Sequence, residues 1–118
     1  MSDWTSIRER YLEDEIDIRL GGLAANLARI GSLSRRAGYS DVVSRLVIES
    51  GLFIEWTARD VPISSLTELA ELQRMLSRWH LAWPKLWEDE SQRETVASAA
   101  AEWSRRVLEL SGLVARGA

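Results

Sequence analysis

The chain has 118 residues, 46% of them apolar and 28% charged, with a formal net charge of −3 and no cysteine. That is the ordinary balance of one globular domain, and it lacks the basic surplus with which proteins grip phosphate backbones, so nucleic acid is not an expected partner. Without cysteine, disulfide scaffolds, zinc–thiolate sites, thiol nucleophiles and thiol redox chemistry are excluded together.

The charged amino terminus lacks the apolar core of a signal peptide, and no uninterrupted apolar run approaches membrane-spanning length, so the cytoplasm is the expected compartment and no membrane is expected. Fourteen of the fifteen basic residues are Arg, the exception being Lys85. The guanidinium fork suits fixed pairing with the chain's eighteen carboxylates. Apolar residues recur at three and four, prolines occur only at Pro62 and Pro84, and no alternating β-branched run is present, which predicts a single helical domain over residues 1–118.

The first helix is predicted from about Trp4 to Arg36, with Ser2 or Asp3 as its cap and a seam of Ile16, Leu20, Leu23, Leu27 and Ile30. Gly21 and Gly22 together cost about 2 kcal/mol of helix propensity relative to Ala. Yet Gly21 and Ala25, then Ala24, Ala28 and Gly31, form a strip of small side chains along which another helix can approach. One long helix, bent if anything, is therefore expected.

An A-G-Y-S turn follows, with Gly38 suited to a helix end and Ser40 to the next cap. The second helix is predicted over Asp41 to Arg59. Its apolar residues, from Val42 and Val43 to Trp56, cover most of the circumference and leave a polar strip of Asp41, Arg45, Glu49, Glu55 and Arg59. Glu49 is read as the partner of Arg45 one turn earlier.

The third helix follows the turn at Pro62, with Ser65 and Glu68 as a capping box and a seam of Leu69, Leu72, Leu76, Trp79, Trp83 and Leu86. Pro84 deprives the His80 carbonyl of its hydrogen bond. Because Leu86 keeps the register, a proline-kinked helix is expected, although Trp83, as the residue before proline, is biased away from helical geometry. Trp79 and Trp83 are read as core, and Trp87, one position beyond the seam, as a half-exposed contact residue. His80, the freed carbonyl and two indoles would then enclose a small polar notch, the candidate site for a small apolar or aromatic ligand.

A lone histidine beside a seam is otherwise a structural hydrogen-bonder. Ser77 stands where a ferritin-like Glu-x-x-His unit needs its glutamate, so no di-iron site is expected. Arg74 and His80, with five residues between them, match the loose arginine-to-histidine spacing of certain helical RNA-cleaving domains. In an arginine-rich helical chain such a pair arises by chance, and nothing else matches that pattern.

Ser91 and Glu94 form another capping-box match, and the fourth helix carries Val96, Ala100, Trp103, Val107, Leu110 and Val114. Four helices joined by short turns predict an antiparallel up-down-up-down four-helix bundle. The acidic clusters at 13–17 and 88–90 lack calcium-loop spacing and read as solvated faces. Arg35, Arg36, Arg105 and Arg106 would form a basic patch if the fold brought them together. Phosphate-loop, nucleophile-elbow and dinucleotide glycine patterns are absent.

The expected function is accordingly protein–protein interaction, through self-association, an adaptor role or a structural one, ahead of ligand binding; no enzymatic activity, cofactor or metal is expected. A continuous first helix would be about 50 Å long against about 28 Å for the second. Its overhanging turns carry Trp4, Ile7 and Tyr11 on one line, which predicts a homodimer held there. The competing expectation is a kink at Gly21 and Gly22 that folds the early segment back onto its own chain.

Overall fold

The computed structural model describes residues 4–112, and the caps read at Ser2 or Asp3 and the seam residue Val114 lie outside them. The described residues contain no strand and form α1 (Trp4–Glu13), α2 (Ile16–Leu33), α3 (Ser40–Thr57), α4 (Ile63–Ala82), α5 (Lys85–Glu88) and α6 (Glu90–Ser111). Short 3-10 turns, Ala37–Tyr39 and Ala58–Asp60, lead into and out of α3. The all-α fold agrees with the sequence pattern. Six helices stand where four were expected because the first and third stretches are each broken.

The first break falls at Asp14 and Glu15, not at the glycines. Glu15 takes an extended conformation, φ −63° and ψ 159°. The break sets Glu15 and Asp17 at the start of α2, where the positive end of the helix dipole favours carboxylates. Arg19 stitches the break, its guanidinium donating to the carbonyls of Asp14 (2.9 Å) and Leu12 (3.3 Å) and to Asp60 Oδ2 (2.8 Å). Gly21 and Gly22 remain within α2.

The second break is at the proline. Trp83 adopts φ −69° and ψ 142°, the extended geometry that a following proline ring favours, and the Trp83–Pro84 peptide bond is cis. The expected kinked helix is therefore two helices, α4 ending at Ala82 and α5 starting at Lys85. Pro84 stands just before the restart, where no amide donor is needed.

Two caps also move. Asp89 caps α6 by accepting from the amides of Ser91 (2.9 Å) and Gln92 (3.3 Å), which leaves Glu94 free of the capping box to pair with Arg35. Helix α4 begins at Ile63, ahead of Ser65, and Glu68 pairs with Arg106 at 2.6 Å instead of closing a box. Ser40 is the first residue of α3 with no capping bond, and α2 ends at Leu33, short of Gly38.

Packing follows the small residues. A methyl added at Gly31 would lie 3.2 Å from the Ala97 carbonyl oxygen and 3.4 Å from the Ala101 amide, so α2 and α6 run backbone to backbone. Ser104 donates to the Ala24 carbonyl at 2.7 Å and Arg35 meets Glu94, partners that climb α2 while descending α6. The same reversal relates α2 to α3, through Asn26 with Glu49 and Arg19 with Asp60, and α3 to α4, through Gly51 with Gln73 and Ser40 with Trp83. Leu23, Leu27, Ile30, Val43, Leu69, Leu72, Leu76, Val96 and Val107 fill the enclosed interior.

Candidate functional site

The residues singled out in the sequence do not converge. Trp79 is buried, 8% exposed, and Trp103 equally so beneath the Arg106 guanidinium, 3.7 Å from its ring centroid. Trp83 donates its indole N–H to Ser40 Oγ at 3.2 Å, and Trp87 donates to the Ala37 carbonyl at 2.8 Å. Their rings lie 5.1 Å apart, so together they seal the turn between α2 and α3. Trp87 is only 6% exposed, which corrects its reading as a half-exposed contact residue. The break at Pro84 turns it inward, where Arg93 lies 5.7 Å from its ring and donates to its carbonyl at 2.6 Å.

His80 points elsewhere. It is exposed and borders a groove between α3 and α4 that none of the tryptophans lines, so the expected notch of His80, Trp79 and Trp83 is not formed. Arg74 does not line that groove either. Six residues of α-helix set the two side chains about 120° apart around the axis, which separates the would-be arginine–histidine pair.

The line of Trp4, Ile7 and Tyr11 is also used within the chain. Tyr11 stacks on Phe53 at 3.9 Å between centroids and 11° between planes, Ile7 packs on the same core, and Trp4 lies 4.4 Å from the Arg45 guanidinium. The early segment has folded back onto α3, through the break at Asp14 and Glu15. The interface expected on these three residues is thereby already covered by the chain's own α3.

Glu49 accepts from Asn26 at 2.9 Å, a bond between helices that the sequence reading of an intrahelical pair omits. Three of the four arginines of the expected basic patch face carboxylates: Arg35 meets Glu94, Arg105 bonds Glu102 and Glu109, and Arg106 meets Glu68. Arg35 holds the Glu94 carboxyl below the usual carboxylate range through their hydrogen bond. Among the described residues no cluster of metal-ligating side chains is present, and no helix is long and apolar enough to cross a membrane.

One face that the fold leaves open is shared by α3 and α4. The groove there measures about 350 Å³, with Val47 and Leu76 in its floor, Ile48, Leu52 and Glu55 on the α3 side, and Ser77, His80 and Leu81 on the α4 side. Gln73 crosses it to donate to the Gly51 carbonyl at 3.1 Å, a reach the missing side chain of Gly51 permits. Leu81 at its rim is 82% exposed. Ile63, also 82% exposed, and Leu66, 37% exposed, continue the apolar stripe down α4, with Ala70 and Ser77 between.

This face was missed from the sequence because its residues lie just off the α4 seam, where single apolar residues carry no signal. The signal that could have found it is a second apolar line on α4, Ile63, Leu66, Ala70 and Leu81, whose spacings return to one face beside the seam. No family model, curated protein or solved structure matches this chain.

Proposed function

We propose that the chain is a non-enzymatic interaction module of the cytoplasm that docks a protein surface on the open face of α3 and α4. Helices α2, α3, α4 and α6 are read as its scaffold, an up-down-up-down bundle with α1 laid on α3 and α5 as a connecting turn. The observation that carries the reading is the alignment of Ile63, Leu66 and Leu81 with the groove. Scattered exposed apolar residues need no explanation, but a stripe running the length of a helix beside an apolar groove is the form that helix and protein docking takes.

A photo-crosslinking amino acid at Ser77, compared with one at exposed Ser98 on α6, tests this in the native cell. Adducts with protein at position 77 and not at 98 are expected; no adduct at 77 overturns the reading.

A second reading has one observation in its favour. The groove volume lies within the range of small-molecule sites, and its few polar groups, Gln73, Ser77, His80 and Glu55, would orient a bound apolar ligand. A raised melting temperature with a panel of neutral aromatic compounds, abolished by Ser77→Arg at the exposed rim, supports it, and no shift across the panel removes it.

A further inference from the structure

We propose that the occupant of the α3–α4 face is a second copy of this chain, packed antiparallel about a two-fold axis that crosses the face at the level of Gln73. The proposal rests on the interaction reading above and names its partner. It comes from a self-complementarity that both helices share at the same level.

On the outward side of α3, Asp41, Ile48 and Glu55 form one row at seven-residue spacing, and Arg45, Leu52 and Arg59 form a second beside it, Arg59 standing in the turn that continues the helix. The four charged residues are exposed and the two apolar ones half-buried. Laid antiparallel on itself, α3 sets Asp41 against Arg59, Glu55 against Arg45 and Ile48 against Leu52, and every pair has its mid-point at residue 50. Arg45 also covers Trp4, so the end pair of Asp41 and Arg59 carries the electrostatic argument.

Helix α4 obeys the same operation. Leu66 is set against Leu81 and Ala70 against Ser77, with both mid-points between residues 73 and 74. At the centre Gln73 and the exposed Arg74 stand nearest the axis, the small pair lies about one turn to either side, and Leu66 and Leu81 close each end. Gln73 is hydrogen-bonded to Gly51, so the mid-points of α3 and α4 lie at one level and a single axis serves both. A surface selected only for solubility has no reason to place its acids opposite its bases, and its leucines opposite each other, under one operation.

The area suffices. Twenty residues of α4 span about 30 Å and two helices side by side about 20 Å, giving about 600 Å² per copy. The resulting total of about 1,200 Å² is the lower end of the range for specific, stable interfaces. Such symmetric two-copy contacts are the commonest among soluble oligomers.

Sedimentation equilibrium of the full chain is expected to show a dimer at micromolar concentration. Leu81→Glu is expected to weaken it at least about 100-fold, since each dimer buries that side chain twice. Asp41→Arg alone and Arg59→Asp alone are each expected to weaken it about tenfold, by setting like charges together at both ends. Mixed in equal amounts, these two variants are expected to form the heterodimer in preference to either homodimer, because both of its end pairs are again opposite in sign. Circular dichroism of each variant checks that these exposed changes leave the helices intact.

A chain still monomeric at about 100 micromolar, a dimer indifferent to Leu81→Glu, or a mixture with no heterodimer preference overturns the proposal. If position 77 then crosslinks only to a different protein, the interaction reading survives without self-association. If it crosslinks to nothing, both fall.

Discussion

Tyr11 shows how much one side chain decides. Its ring lies flat on Phe53, while its hydroxyl donates to the Arg19 carbonyl at 2.7 Å and accepts from Thr57 Oγ1 at 3.3 Å. Burial pushes the phenol up to about 12, against the opposing effects of the Thr57 bond and the Arg19 charge. Because the folded value lies above the ordinary 10.0, this group's contribution to stability is complete below pH 10 and is lost as pH rises toward 12. The loss is on the order of 2 to 3 kcal/mol. Tyr11→Phe is expected to cost about 1 kcal/mol at neutral pH and to remove that part of the alkaline decline. Urea unfolding of both proteins at neutral pH and near pH 11 measures it, and parallel declines would contradict a buried, protonated phenol.

At the scale of elements, two glycines of the same helix make opposite predictions. A methyl at Gly31 would meet the backbone of α6 at 3.2 and 3.4 Å, and backbone cannot swing aside. Gly31→Ala is expected to destabilise by about 1 to 2 kcal/mol, the overpacking outweighing the gain in helix propensity. A methyl at Gly22 would meet only the Tyr11 ring edge, at 3.8 Å, an ordinary contact. Gly22→Ala is therefore expected to stabilise by about 0.5 to 1 kcal/mol, and thermal unfolding of the two variants reads both signs. The small-residue strip was legible in the sequence as a place for close approach, but which of its members would meet a neighbour was not. Residues 24 and 31 face α6, whereas Ala25 and Ala28 are exposed.

At the scale of the whole molecule, α1 and Trp79 report on different parts of the core. Deleting residues 1–13 uncovers Phe53 and Trp56, and a chain beginning at Asp14 is expected to lose at least about 2 kcal/mol of stability while keeping α2 to α6 folded. Trp79→Ala, deep in the seam of α4, is expected to cost about 3 to 5 kcal/mol. Chemical denaturation followed by far-ultraviolet circular dichroism compares them. Equal stability of the deletion and the full chain would mean that α1 is not packed on α3 as described.

The helical class, the seams of Leu20 to Ile30, Leu69 to Trp79 and Val96 to Val107, and the burial of Trp79 and Trp103 were all determined by local sequence, because a periodicity of three and four requires only that each helix bury one stripe. The tertiary structure alone decided where the long stretches break, which cover Trp4, Ile7 and Tyr11 receive, and that Trp87 turns inward while His80 turns out. Those outcomes depend on partners far along the chain: Asp60 for Arg19, Phe53 for Tyr11, Ala37 for Trp87. The face of α3 and α4 belongs to the same class, since it exists only once Gly51 and Gln73 set the two helices level. Periodicity fixes which stripe a helix hides, but only the packing of one helix on another determines which stripe is left over.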